Sequence, residues 1–210
     1  MNNKKVSTAV IKRLPRYYRY LGELVSRGIP RISSKELSER MNITASQIRQ
    51  DLNNFGCFGQ QGYGYNVESL YNEIKKILGL GRNYNLILVG VGNLGHALVK
   101  YENFISSGFN FIALFDSDSQ LIGKEVNGLK IMGADSLLSF IEKNQVDIAV
   151  LTVTKSKAQE VAEKILGCGV KAIWNFTNKD LQCLEKQGAS IENVHLSDSL
   201  MTLSYNLNRQ

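Results

Sequence analysis

Gly90-Val91-Gly92-Asn93-Leu94-Gly95 places glycine at the first, third and sixth positions of one short run, and Asp116 follows 21 residues after the last of them. Glycine at these positions lets the chain turn tightly, approach a pyrophosphate and pack a helix closely on a strand, and a carboxylate at that distance meets ribose hydroxyls. The chemistry is dinucleotide recognition, with phosphate charge stabilised by backbone N–H groups at a helix start and the adenosine ribose held by Asp116. A carboxylate there repels a 2′-phosphate, so NAD(H) is expected to bind better than NADP(H).

A second group of residues carries a different chemistry. Ser46, Gln47, Arg49 and Gln50 lie outside the apolar stripe of Ile48 and Leu52, and they supply donors for base edges and phosphates. Phe55-Gly56-Cys57-Phe58-Gly59-Gln60-Gln61-Gly62-Tyr63-Gly64-Tyr65 then alternates glycine with aromatic residues. Such a run suits a tight hairpin whose backbone approaches a phosphate, the wing of a winged helix-turn-helix.

Each group needs a scaffold. Apolar residues at helical spacing from Val10 to Val25, through Leu14, Tyr17, Tyr18, Leu21 and Leu24, predict a first helix with Pro15 tolerated in its first turn. Gly28-Ile29-Pro30 ends it. Ser33 and Glu36 have capping-box spacing for a second helix to Met41, Asn42 breaks that helix, and Thr44 can cap the third. Val67 to Leu80 is read as an amphipathic helix and Gly79 to Asn83 as a linker.

The glycine loop follows the apolar run Leu86–Val89 and precedes His96-Ala97-Leu98-Val99, hence strand, loop, helix. Further strands are expected at Phe111 to Phe115, Asp147 to Val153 and Ala172 to Asn175, with a helix through Ala158, Val161, Ala162, Ile165 and Leu166. This alternation describes a doubly wound, mostly parallel α/β domain of Rossmann type. Thr152-Val153-Thr154 and Asn175-Phe176-Thr177 fall at carboxyl ends of its strands, where ligands bind. Leu196, Leu200, Leu203 and Leu207 give a terminal helix one apolar stripe, which packs on its own domain or is exchanged with a second subunit.

Charge separates the two parts. The net charge is +6, yet residues 1–80 hold thirteen Lys or Arg against six Asp or Glu, and residues 81–210 hold twelve against thirteen. With a pI near 9.2, the excess points to a polyanion at the N-terminal part: nucleic acid first, an acidic membrane surface as the rival. The expected organisation is a winged-helix DNA-binding domain over 1–80, a NAD(H)-binding domain over 81–195 and a dimerisation helix over 196–210. No run of about 18 apolar residues occurs and no signal peptide is expected. Cys57, Cys168 and Cys183, odd in number and without metal-ligand spacing, fit a reducing, cytoplasmic setting with no metal site. His96 and His195 are the only histidines, and neither is placed as a catalytic base beside an acid that would orient it. No catalytic residue is assigned.

The chain resembles the redox-sensing repressor family called Rex over almost its whole length. The resemblance rests on Arg13-Leu14-Pro15, Tyr17-Tyr18-Arg19, Ile32-Ser33-Ser34, Ile48-Arg49, Asp51-Leu52 and the wing, then on Gly90 to Gly95, Phe115-Asp116, Thr152-Val153 and Asn175-Phe176. It implies a homodimer with exchanged C-terminal helices that binds a palindromic double-stranded operator and is released when NADH replaces NAD+. It implies that Arg49 reads a base and Arg13 contacts a phosphate. The full DNA set is Arg13, Arg16, Ser33, Ser34, Thr44, Ser46, Gln47, Arg49, Gln50, Phe58, Gly59, Gln61, Gly62, Tyr63 and Gly64. The cofactor set is Gly90 to Gly95, Tyr101 near the nicotinamide, Asp116, Thr152, Val153, Asn175 and Phe176.

The chain departs from the family pattern at three places. Arg19 matches an arginine that pairs with an aspartate of the partner subunit, but His195 stands where the aspartate is expected, with Asp198 one turn on as a substitute. Gln50, Gln60 and Gln61 replace frequent Lys or Arg, and Thr154 replaces a proline. Two further readings stay open: a repressor with weak or no redox response, and an NAD-dependent oxidoreductase whose basic domain serves assembly.

Overall fold

The computed structural model describes residues 6–56, 59–60 and 63–209, with the backbone alone at 59, 60, 186 and 187. The chain forms two compact units, Met1–Arg82 and Asn83–Gln210.

In the first unit, Ser7 caps α1 (Thr8–Ser26) by accepting from the Val10 N–H, and α1 buries Val10, Leu14, Tyr17, Leu21 and Leu24. Because α1 starts at Thr8, Pro15 lies inside the helix and not in its first turn. The carbonyl without its helical partner there belongs to Ile11, which is 41% exposed, and the buried residues flanking Pro15 outweigh the local cost. Val25, expected in the apolar stripe, is 38% exposed. Strand β1 (Arg31–Ile32) precedes α2 (Ser34–Met41). The α2 cap is reciprocal: Glu36 N–H donates to Ser33 Oγ at 3.1 Å and Ser33 N–H to Glu36 Oε2 at 2.8 Å. Those bonds hold the Glu36 carboxyl below its ordinary pKa. Asn42, left-handed at φ 52°, ends α2, and Thr44 caps α3 (Ala45–Asn53) on Gln47 N–H.

Strands β2 (Gly59–Gln60) and β3 (Gly64–Asn66) then join β1 in a small antiparallel sheet of order β1-β3-β2, and α4 (Val67–Ile77) follows. The expected hairpin is thus part of a three-stranded sheet, since the two residues of β1 are too few to show periodicity in the sequence. One core joins Leu14, Tyr17, Leu21, Ile32, Leu37, Ile48, Leu52, Leu70 and Ile74. At its edge Tyr18 stacks on Tyr71 at 4.6 Å and accepts a hydrogen bond from its hydroxyl at 2.8 Å. Burial and that bond push the Tyr18 hydroxyl pKa up.

The second unit opens with β4 (Tyr84–Val89), α5 (Asn93–Val99), the short α6 (Asn103–Ser106) and β5 (Phe109–Asp116). A hairpin, β6 (Glu125–Val126) and β7 (Leu129–Gly133), precedes α7 (Leu137–Lys143). Then come β8 (Ile148–Leu151), α8 (Lys155–Gly167), β9 (Ala172–Asn175), β10 (Ser190–Asn193) and α9 (Leu196–Leu207). The sheet order is β10-β9-β8-β4-β5-β7-β6, parallel throughout except for the β6–β7 edge. The chain goes outward from β4 in one direction and then returns to β8 on its other side, so the β4–β8 boundary is the topological switch point of a doubly wound sheet. Both faces are buried, as the pleat requires: Ile87 and Val89 pack with Leu137, Ile141, Ala162 and Ile165, while Leu86 and Leu88 pack with Val99, Val126 and Ile131.

Candidate functional site

The carboxyl ends of β4, β5 and β8 meet at a cleft of about 630 Å³ in the second unit. Gly90, Gly92, Asp116, Thr152 and Val153 line it, all five from the expected cofactor set. Gly90 turns the chain out of β4 at φ +97°, and an added Cβ would lie 2.8 Å from the Thr152 carbonyl carbon. At Gly95 a Cβ would strike the Gly90 carbonyl oxygen and Leu88, so α5 packs on β4 at a distance only glycine permits. At Gly92 an added Cβ would meet nothing within 4 Å, which leaves that side of the backbone open to a ligand. Thr152 Oγ1 donates to the Gly90 carbonyl and ties the loop to the end of β8.

Asp116 holds the loop from its other side. Its Oδ2 accepts from Val91 N–H at 2.6 Å and its Oδ1 from Asp118 N–H at 2.9 Å. Both partners are main-chain groups, and each carboxylate oxygen keeps a lone pair for a further donor such as a ribose hydroxyl. The first turn of α5, with Asn93 and Leu94, has no side-chain cap, so its N–H groups face the loop without an internal acceptor from a side chain. Cleft, open loop and carboxylate fit a dinucleotide. Ser117, Asp135 and Lys157 also line the cleft and are absent from the expected set. Their places at the ends of β5 and β7 and the start of α8 are the signal that could have identified them.

Three expected cofactor residues are placed elsewhere. Asn175 is buried and its amide is fully used: Nδ2 donates to Lys179 O and Asn193 Oδ1, and Oδ1 accepts from Thr177 N–H and Oγ1. With all four positions filled, its side chain braces the corner after β9 and is not free to hold a ligand. Tyr101, 51% exposed, lines a separate pocket of about 150 Å³ with Phe104 and Phe111. Phe176 joins it through an aromatic row, Tyr101–Phe104–Trp174–Phe176, with ring centroids 4.8, 5.4 and 4.6 Å apart. His96 lies within α5.

In the first unit, α3 turns Ile48 and Leu52 inward and leaves Ser46, Arg49 and Gln50 exposed. Arg49 Nη1 donates to Ser34 Oγ at 3.0 Å, so the outward face of α3 is tied to the start of α2 beside Ser33. Thr44 Oγ1 accepts the Gln47 N–H as the cap of α3, and Arg16 is half-buried on α1. Two expected contacts turn inward instead. Arg13 donates Nε and Nη2 to Asp51 at 2.6 and 2.7 Å, and Gln47 Nε2 donates to Asp51 at 2.7 Å. Tyr17 completes the set at 3.0 Å. Asp51 is wholly buried. Burial would raise its pKa, but the bonds from Arg13, Gln47 and Tyr17 outweigh that and hold it low. The same group raises the Arg13 and Tyr17 values, Arg13 by its bond to Asp51 and Tyr17 first by burial. Arg13 and Gln47 are therefore engaged in bracing α3 through Asp51. This cluster was not anticipated as a unit, because its members are up to 38 residues apart.

Gly64, expected at the wing, has φ +70° and a Cβ there would sit 2.6 Å from Ile32 O, so the close β1–β3 approach already requires glycine. Tyr63 is 69% exposed, and Gly59 lies in β2. Phe58, Gln61 and Gly62 fall outside the described residues. Of the expected switch residues, Arg19 is exposed with its guanidinium 5.7 Å from the Tyr20 ring. His195 is the half-buried residue before α9 and Asp198 is exposed in its first turn. Leu196, Leu200, Leu203 and Leu207 are 54–67% exposed, so the α9 stripe lies uncovered in the single chain. Among the described residues no helix is long and apolar enough to cross a membrane.

Residues 5–53 match the family described as "Putative DNA-binding protein N-terminus" and residues 81–179 the "CoA binding domain". The chain is 53% identical over 206 residues to the redox-sensing transcriptional repressor Rex of Thermoanaerobacter pseudethanolicus, covering 98% of this chain and 91% of that one. It is 54% identical over 205 residues to the Rex of Clostridioides difficile, covering 98% and 97%. Among solved structures, RSP, a Rex-family repressor, in complex with β-NAD+ and operator DNA matches at TM-score 0.91 and 53% identity over 99% of this chain and 94% of that one. RSP in complex with β-NADH matches at TM-score 0.90 and 50% identity over 99% and 96%.

Proposed function

The chain belongs to the Rex family of redox-sensing transcriptional repressors, and from that premise we propose that two copies bind a palindromic operator and leave it when NADH replaces NAD+. It is a NAD(H)-sensing, DNA-binding regulator and not an enzyme. The observation that carries this is the pair of RSP complexes, one with β-NAD+ and operator DNA and one with β-NADH, matched over 99% of this chain.

In our reading residues 1–80 form the reader. Arg49 and Gln50 reach the major groove with Ser46, while Ser33, Ser34 and Thr44 contact the backbone beside them, and the Asp51 cluster fixes the angle of α3. Arg16 adds a phosphate contact, and Tyr63 and Gly64 present the wing. Residues 81–195 form the sensor, in which Gly90 to Gly95 receive the pyrophosphate and Asp116 the adenosine ribose. Bound NAD(H) supplies a nicotinamide ring whose charge and planarity change with oxidation state. Thr152 and Val153 border its path, and the row from Phe176 to Tyr101 offers an apolar wall for the ring. Residues 196–210 form the dimer element: exposed leucines on α9 support exchange between protomers, as in a homodimer that matches a two-fold operator. Arg19 then pairs with Asp198 of the partner subunit, because His195 cannot supply a negative charge. The protein works in the cytoplasm, where NAD(H) and DNA are both accessible.

The test starts from a complex of the full-length protein, NAD+ and a duplex selected from random sequence by the protein itself. Adding NADH at fixed salt releases the duplex, followed by fluorescence anisotropy. Retention of the duplex at saturating NADH contradicts the sensing mechanism. Replacing Asp198 with arginine removes the NADH response and leaves NADH affinity unchanged if the Arg19 pair is the coupling element.

A further inference from the structure

The wing of this chain has no cation of its own: residues 55–66 contain neither Lys nor Arg. A phosphate contact made from backbone and aromatic groups alone lacks the charge that dominates nucleic-acid affinity. The three-stranded sheet brings one in from outside the wing. Arg31, on β1, pairs opposite Asn66 of β3 and alternates outward while Ile32 is buried. Its Nη1 donates to the Tyr63 carbonyl at 3.3 Å, and its guanidinium lies 5.8 Å from the Tyr63 ring centroid. Both side chains are exposed. Among the described residues no carboxylate lies within ion-pair distance of Arg31.

Building on the repressor reading, we propose that Arg31, held against Tyr63 of the wing, makes a DNA phosphate contact and supplies the positive charge that the wing lacks. The geometry is preformed. Gly64 lets β3 approach the Ile32 carbonyl so closely that any side chain there would collide, and that approach sets Arg31 beside Tyr63. One N–H of the guanidinium is used on the Tyr63 carbonyl, and the planar fork keeps its other donors for a phosphate. The ring beneath it limits the rotamers that would otherwise have to be ordered on binding. Two residues along the chain, Ser33 begins the α2 cap, and Ser34 holds Arg49. Arg31 thus touches Tyr63 of the wing and lies three residues before Ser34, which holds Arg49.

The experiment measures operator affinity of full-length wild-type, R31Q, R31K and Y63A proteins against salt concentration, on a duplex selected from random sequence by the wild type. Removing one phosphate interaction lowers the slope of log K against log salt by about 0.9, equivalent to about 8-fold weaker binding at 0.1 M salt. R31Q shows that decrease in both slope and affinity, R31K retains the wild-type slope, and Y63A weakens binding with a smaller change in slope. Unchanged NADH affinity and an unchanged unfolding midpoint of R31Q show that the fold is intact. A wild-type slope in R31Q overturns the assignment, whether or not affinity falls, since a brace without a phosphate contact releases no counterion. If selection with the wild type enriches no duplex, the repressor reading itself fails and the assignment falls with it.

Discussion

Asp51 in the N-terminal unit accepts hydrogen bonds from Arg13, Tyr17 and Gln47, whereas Asp116 in the C-terminal unit accepts from the main-chain N–H groups of Val91 and Asp118. The first carboxylate is enclosed by side chains from two helices and has no exposure. The second borders a cleft. A buried carboxylate with side-chain partners on every side is spent on architecture, because any ligand would have to displace a charge-assisted bond. A carboxylate fixed by main-chain donors keeps outward lone pairs and is oriented without being consumed. In the proposed reading, one unit uses its acid to aim a helix and the other to receive a ligand.

Removing the Asp51 carboxylate is the largest way to break that contrast. D51A leaves Arg13 and Tyr17 without their acceptor and is expected to cost about 3 kcal/mol, the lower end for a broken buried pair because the Arg13 side chain is 28% exposed. Urea unfolding followed by tyrosine fluorescence and circular dichroism should show an earlier transition of the N-terminal unit. Operator affinity falls because α3 loses the brace that sets its angle, while NADH affinity stays unchanged. The same group makes a pH prediction. Its folded pKa is held below the ordinary aspartate value of about 3.9, so its contribution is complete above that value and lost as pH falls through the lower folded value. Urea midpoints measured from pH 6 to pH 2.5 drop at the acid end for the wild type. D51N lacks this component of the drop.

G95A tests the other unit. Its Cβ meets the Gly90 carbonyl and Leu88, an overpacking expected to cost about 1–3 kcal/mol. NADH affinity by calorimetry falls about 10- to 100-fold, with operator binding in the absence of nucleotide intact. D116N is smaller. Exchanging the charged acceptor for a neutral amide weakens NADH binding about 10-fold and narrows the preference over NADPH, since the repulsion of a 2′-phosphate is gone. A D116N protein with wild-type NADH affinity would place Asp116 among the structural carboxylates beside Asp51.

The glycine loop was legible in the sequence because its demands are local. The turn at Gly90 and the close approach at Gly95 both arise where a strand enters a helix, and that unit is contiguous in the chain. Capping at Ser33 and Thr44 was legible for the same reason. The Asp51 cluster was not, because Arg13 and Tyr17 reach it from a helix more than thirty residues earlier and nothing in either segment alone shows the pairing. Asn175 misled in the opposite sense. Its position at the end of β9 suits a ligand, but partners at Thr177, Lys179 and Asn193 fill its amide. Pro15 falls beyond the first turn because the Ser7 cap starts α1 at Thr8, seven residues before it. The β6–β7 hairpin, α6, α7 and β10 are too short for periodicity to separate them from loops.

The central claim is that nucleotide held at Asp116 governs DNA held by α3 and the wing. The direct measurement is the operator dissociation constant of the full-length protein across NADH to NAD+ ratios at constant total nucleotide and salt, with D116N in parallel. The account predicts that wild-type affinity weakens steadily as the NADH fraction rises and that the D116N response requires about tenfold more nucleotide, in keeping with its weaker acceptor. A wild-type dissociation constant that is the same at every ratio contradicts it.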